Sequence, residues 1–194
     1  MITTATVTLE DYTDEPERKI ARFAAICYGS GTDDDSLNRR IKHLMKVKHL
    51  ATLRFANATF KIEGVSRTCT HQLVRHPHLS YLQESQRYVD QSNTSFVVPT
   101  NLDDISRVHV LSIYHGLKDA YDNLIKDGVK KEDARYILPN GGTSSMYITG
   151  NFNAWIDFLR NRTDSHAQWE IRGVANQIAK ELSKIAPNVF KEFE

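Results

Sequence analysis

Arg67, His71 and Arg75 recur at every fourth position ahead of Pro77, a spacing that lines them up on one face of a helix. Taken alone, such a basic stripe is a solvated surface. The segment after Pro77 changes that reading, because His78, Ser80, Tyr81, Gln83, Glu84, Ser85, Gln86, Arg87 and Tyr88 crowd hydrogen-bonding groups into one short stretch. That stretch has neither helical nor strand periodicity and is expected to be an irregular loop, where binding groups concentrate on a rigid scaffold. Arginine offers forked donors to phosphate oxygens, serine a short hydroxyl donor, and glutamine a donor and an acceptor for carbonyl and N–H edges. The chemistry implied is recognition of a nucleotide-like anion, a phosphate monoester with a base beside it.

The elements that must position these groups can be traced along the chain. Ala5, Val7 and Leu9 alternate in a short N-terminal segment, and Ile20, Phe23, Ala24 and Cys27 mark a helix over 14–28. Gly29, Ser30 and Gly31 break it; Asp33 to Ser36 then cap a second helix with Leu37, Ile41, Leu44 and Met45 inward and Lys42, Lys46 and Lys48 on its solvated face. Residues 57–63 alternate Ala58, Phe60 and Ile62 against polar neighbours as a half-buried strand closed by Gly64. From Val65 to His76 the period turns helical, with Val65, Cys69 and Leu73 inward, until Pro77 stops it.

A short strand is expected at 95–99, then a long helix over 103–126 with Val110, Ile113, Tyr114, Leu117, Tyr121 and Leu124 inward. Next come a short helical piece at 130–136, a turn from Pro139 to Gly142 and a strand over 144–149. Two last helices span 151–161 and 165–187, the second with Ile171, Val174, Ala175, Ile178, Leu182 and Ile185 in register. The pattern is α+β, a small antiparallel or mixed sheet with several long helices. Without repeat or linker, a single domain over 1–194 is expected.

Composition narrows the partners. Lys and Arg number 25 against 24 Asp and Glu, a net charge of +1, so no global field draws nucleic acid or an anionic membrane and any anion site is local. The two cysteines, Cys27 and Cys69, have no metal-ligand spacing and are expected as buried free thiols. No metal site is expected. The N-terminus lacks the basic start and apolar run of a secretory signal, and no stretch approaches the ~20 apolar residues of a membrane span. A cytoplasmic protein is expected.

Residues 75–88 resemble the signature of the flavin-dependent thymidylate synthases, the ThyX family: Arg-His-Arg, seven residues, a serine, then Arg-Tyr. Arg75 and His76 open it, Ser85 falls at the required spacing, and Arg87 and Tyr88 close it. The resemblance continues through Phe60 to Gly64, Arg135 to Pro139, Thr149 to Asn151 and Arg162 to Ile171, and covers the chain from about Cys27 to Phe193.

The resemblance implies a ThyX-like fold and reductive methylation of deoxyuridylate (dUMP) to thymidylate, with methylenetetrahydrofolate as carbon donor and NADPH as hydride source through bound FAD. The cofactor carries the difficult chemistry, in keeping with two cysteines that lack a polar, activating context. It further implies that Gln72, Arg75, Gln83, Glu84, Ser85, Gln86, Arg87 and Arg135 contact dUMP, with Arg87 and Arg135 at the phosphate. Arg162 is implied as the catalytic contact to the uracil ring, favouring ionisation at N3; a guanidinium stays protonated and can stabilise that charge. His49, Ala51, Arg75, His76, Pro77, His78, Gln83, Asn151, Asn153 and Asp157 are implied around FAD. A homotetramer with shared active sites is implied as well, binding folate and NADPH but no nucleic acid or membrane.

Trp169 reads as packing, and His166 as part of a capping arrangement after Asp164 and Ser165. The departures from the family pattern fall mainly on the flavin side. Pro77 stands for the second arginine of the signature, Arg54 and Phe55 for a Glu-His pair, Asn153 for a common arginine and Asp157 for a histidine or asparagine. Two other readings keep the dUMP site: a relative transferring a hydroxymethyl group, and a dUMP-binding protein without catalysis.

Overall fold

The computed structural model describes residues 5–29, 31 and 33–193; Ser30, within the expected helix break, lies outside the described residues, as do residues 1–4. Strand β1 (Thr6–Tyr12) leads into α1 (Pro16–Ala24). Proline suits the first turn of α1 because its missing N–H would have no helical partner there. A 3-10 turn, Ala25–Tyr28, takes over where a single helix to Tyr28 is expected, and it leaves Cys27 exposed, not buried. Helix α2 (Asp34–Lys46) starts as its capping residues require: Asp33 accepts hydrogen bonds from the Ser36 amide (3.0 Å) and hydroxyl (2.7 Å). Its Leu37, Ile41 and Leu44 are buried.

After a 3-10 turn, Leu50–Phe55, strand β2 (Asn57–Ser66) runs straight through Gly64. Glycine tolerates the φ of 72° found there, so the strand continues past it and is not closed there. Helix α3 (Arg67–Leu73) is shorter than the expected 65–76 and ends ahead of Pro77. Strand β3 (Ser80–Gln83) occupies part of the stretch expected to be irregular. The expected strand at 95–99 reduces to a bridge between Phe96 and Gly142.

Then come α4 (Asp104–Lys126), capped by Asp103, and α5 (Lys131–Ala134) with a 3-10 turn, Arg135–Ile137. Strand β4 (Thr143–Asn151), α6 (Phe152–Arg162), α7 (Trp169–Ile185) and α8 (Pro187–Phe190) complete the order, with a 3-10 turn, Lys191–Phe193. Helix α7 starts at Trp169, not Ser165, because the Gln168 side chain caps it.

The four strands lie in the order β1-β2-β4-β3. Thr59 of β2 bonds to Thr149 of β4, and Arg67, just past β2, bonds to Gly142, just ahead of β4, so partner numbers fall on one side as they rise on the other, the mark of an antiparallel pair. The class is α+β. Among the described residues, no helix is long and apolar enough to cross a membrane.

The internal contacts define two compact units. One comprises Ile62–Leu73 and Leu82–Met146 with Ala5 and Thr6. Val65, Cys69 and Leu73 are its fully buried stripe, as their spacing requires. In α4 only Tyr121 is buried, and Ile113, expected inward, is 60% exposed. Gly141 packs so closely on α4 that a Cβ there would fall on the Tyr114 hydroxyl. The other unit comprises Val7–Lys61, Val74–Tyr81 and the chain from Tyr147 onward. Its core sets Trp155 edge-on to Phe60 (5.1 Å) and Phe158 (5.7 Å), and the indole N–H donates to the Ala58 carbonyl at 3.1 Å. Ile171, Val174, Ala175, Ile178 and Leu182 of α7 are buried there as expected.

Candidate functional site

In the first unit, the junction of β2 and α3 places the basic groups. Ser66 accepts a hydrogen bond from the Cys69 amide, and the first α3 residues donate outward, Arg67 N to Gly142 O (3.0 Å) and Thr68 N to Asn140 O (3.1 Å). These bonds stitch the start of α3 to the turn after Pro139. A cavity of about 310 Å³ results, lined by Arg67 and His71 from α3, Gln86, Arg135 and Tyr136, and Leu138 to Asn140.

Two guanidiniums therefore meet one cavity. Arg67 donates from Nη2 to the Glu84 carbonyl (3.0 Å), while its buried Nε has no hydrogen-bond partner. Burial is the main cause that lowers the Arg67 pKa; the Glu84 carboxylate opposes the shift and the Arg135 charge adds to it. Arg135 is held by a bond from Nε to the Glu132 carbonyl (3.1 Å), the neighbouring-residue contact its position allows. A cavity walled by two like charges, one with a donor unused, suits an anion of more than one negative charge.

The other residues singled out from the sequence have varied surroundings in this unit. Arg87 does not line the cavity; its Nε and Nη2 reach the Glu132 carboxylate at 3.2 Å each, on the surface. Gln83 donates to the Thr70 and Ser144 hydroxyls (3.0 and 3.1 Å), and the Glu84 carboxylate accepts from Gln91 (3.0 Å). Ser85 organises the turn into Arg87, its carbonyl accepting from the Tyr88 and Val89 amides. Gln72 donates to the Thr68 carbonyl at 3.4 Å. A second cavity of about 230 Å³, lined by Glu84, Asp90, Gln91 and the hydroxyls of Thr94, Ser144 and Ser145, has no cation and does not suit an anion.

In the second unit, Arg162 ends α6 and donates from Nε to His76 Nε2 at 2.9 Å. His76 is buried, 7% exposed, with its ring edge-on to Phe158 at 5.0 Å. The Tyr81 hydroxyl donates to the His76 carbonyl at 3.0 Å, and burial pushes the Tyr81 pKa up to about 12. Arg75, Pro77 and His78 are exposed. Gly150 packs so tightly that a Cβ would fall on the Leu79 side chain, and Asn151 caps α6 by accepting from the Ala154 amide (3.0 Å). Asn153 is half-buried; Asp157 is exposed and its carbonyl accepts from Asn161. His49 Nδ1 lies 3.4 Å from the Tyr28 hydroxyl, and Ala51 is exposed in the 3-10 turn. An apolar cavity of about 450 Å³ lined by Phe23, Ile26, Cys27 and Phe55 contains none of the residues implied at dUMP or FAD, although Phe55 is one of the flavin-side departures. His166 lies ahead of α7, bonded to the Asp164 carboxylate at 2.8 Å, and Trp169 is half-buried, as packing requires.

Arg67 and His71 are cavity residues that sequence reasoning places on the basic stripe without a ligand role of their own. The signal that points to them is the stripe itself, four residues apart and directed away from Val65, Cys69 and Leu73.

An α+β scaffold that sets paired guanidiniums in a cavity beside amide donors suits an anionic ligand. A family model described as thymidylate synthase complementing protein matches residues 8–188. The chain is similar to the flavin-dependent thymidylate synthase of Clostridium tetani, 34% identical over an alignment of 211 positions, gaps included, that covers 95% of this chain and 85% of the relative. It is similar also to those of Geobacter sulfurreducens, 35% identical with 96% and 85% covered, and Mycobacterium avium, 36% identical with 79% and 68% covered. The chain belongs to the thymidylate synthase complementing protein family.

Proposed function

We propose that this chain is a flavin-dependent thymidylate synthase, converting dUMP to thymidylate with methylenetetrahydrofolate and NADPH as co-substrates, as a cytoplasmic homotetramer with shared active sites. The observation that carries the reading is the cavity in which Arg67 and Arg135 stand beside Gln86. A nucleotide monophosphate is the ligand such a pair suits, since each guanidinium offers forked donors to phosphate oxygens. Arg67 joins Arg135 in the phosphate role; Arg87, paired with Glu132, reaches the nucleotide by exchanging one carboxylate for another anion. Gln72, Gln83, Glu84 and Ser85 surround sugar and base. Arg75 borders both nucleotide and cofactor. Arg162 places its fixed charge against the uracil ring and stabilises the anion formed at N3, which raises electron density for attack on the carbon donor.

When bound, FAD would supply the redox chemistry, with NADPH as the proposed source of hydride. The donor chemistry fits such a cofactor: exposed Arg75 and His78 flank Pro77, so a cation and an imidazole remain where the proline removes a donor. His49, Ala51, His76, Gln83, Asn151, Asn153 and Asp157 complete the proposed wall, with Asn151 keeping its amide N–H groups because α6 uses only its oxygen. Tetramer formation is supported by the face of α4, where Ile105, Val108 and Ile113 are exposed together.

Flavin absorbance of the purified protein and mass analysis of the product from dUMP, methylenetetrahydrofolate and NADPH test the reading. Bound flavin and thymidylate are expected. A protein that binds dUMP yet takes up no flavin and forms no product overturns it, and a hydroxymethylated product changes the reaction assigned.

A further inference from the structure

We propose that His76 is a positioning residue for Arg162: a neutral hydrogen-bond acceptor that fixes which edge of the guanidinium is presented to the ligand. The inference rests on the reading of Arg162 as the uracil contact. It is carried by the 2.9 Å bond from Arg162 Nε to His76 Nε2. Only the lone pair of a neutral imidazole can accept that bond, so the ring carries its proton on Nδ1. His76 itself is fixed from two sides, by the edge-on contact with Phe158 and by the Tyr81 hydroxyl on its carbonyl. Among the described residues, the two NH2 groups of Arg162 have no hydrogen-bond partner, so the guanidinium is clamped at Nε and open at the groups that would meet a uracil carbonyl and ring nitrogen.

The charged and titratable groups facing His76 agree with this role. From α6 come Arg162 and Asp157, and from β3 comes Tyr81; Arg75 and His78 on its own segment are exposed. Burial first, then the Arg162 charge, lower the His76 pKa below the ordinary 6.5, with Asp157 opposing. His76 is therefore neutral at neutral pH. Protonation on the acid side removes the lone pair and sets two positive charges 2.9 Å apart, which turns the guanidinium out of line.

The test uses the full chain and two variants. H76F keeps a ring against Phe158 and removes the acceptor; H76Q supplies an amide oxygen that accepts without titrating. Calorimetric dUMP affinity is measured from about pH 5 to 8, with the ultraviolet difference spectrum of the bound uracil reporting N3 ionisation. Wild-type affinity is expected to fall on the acid side, partly because the dUMP phosphate itself takes up a proton at about pH 6 and partly because His76 is protonated below the ordinary 6.5. H76F should bind about tenfold more weakly at neutral pH, the loss of one charge-assisted bond, with a smaller spectral change and an acid limb reduced to the phosphate's share. H76Q should recover most of the affinity and the spectrum, with the same reduced limb. An H76F protein shown folded by circular dichroism that keeps wild-type affinity and acid limb overturns the proposal, as does an H76Q protein no better than H76F. R162A separates the two levels: impairment there with H76F unaffected removes only the positioning role, whereas unchanged binding in R162A removes the reading of Arg162 itself.

Discussion

A guanidinium with a buried, unpartnered Nε is costly to keep unless a ligand uses it, and Arg67 is in that state at the cavity wall. Arg67→Ala should weaken dUMP binding by about 1.5–3 kcal/mol, the range for a hydrogen bond to a charged group, as read by calorimetry. Arg87→Ala should cost a similar affinity, about 1.5–3 kcal/mol, and little stability, because its pair with Glu132 is half exposed and such surface pairs contribute about 0–1 kcal/mol. Unchanged dUMP affinity in Arg87→Ala would leave the phosphate to Arg67 and Arg135 alone. Arg135 and Gln86 are legible from the motif blocks that contain them. Arg67 is visible only as one member of a basic stripe, since no local pattern says that the first turn of α3 is bonded to Asn140 and Gly142.

At the scale of elements, the N-cap of α6 separates two roles of one side chain. Asn151 accepts the Ala154 amide, so Asn151→Ala should cost about 1 kcal/mol in urea unfolding without any ligand present, and Asn151→Asp should retain most of it. Helix α2, with a strong cap and regular apolar spacing, is readable from sequence because both signals are local, whereas α7 is readable by its spacing but not at its start, where Gln168 is the cap. Strand β3 is not: its four residues alternate exposed and half-buried side chains, and none is buried enough to impose a period. Helix α4 errs in the other direction. Its apolar spacing marks an inward face, but Ile113 of that face is exposed within the chain, as are Ile105 and Val108 outside it. Ile113→Asp should shift the assembled protein to smaller species by light scattering, and an unchanged mass would remove that face from the tetramer contact.

For the molecule as a whole, acid stability should fall in two steps. His76 has a folded pKa below its unfolded value of 6.5. Its contribution is therefore complete above pH 6.5 and is lost as pH falls through the lower folded value, where the unfolded chain binds the proton more readily. Asp33, Asp90, Asp103, Asp122 and Asp164 titrate at lower pH, each held below 3.8, chiefly by hydrogen bonds to its carboxylate, so that their contribution disappears only below that value. Melting temperature against pH should show a shallow first fall in the wild type and none in H76F. The Tyr114 hydroxyl that fills the place of a Cβ at Gly141 has a further consequence, for how the sequence can vary. Gly141→Ala alone should destabilise the protein by about 1–3 kcal/mol through overpacking, while a smaller residue at position 114 makes room for it. The double-mutant cycle of Gly141→Ala with Tyr114→Leu should be non-additive by about 0.5–3 kcal/mol. Substitutions at these two positions are thus conditional on one another, and a smaller residue at position 114 that arises first lowers the cost of a later one at position 141.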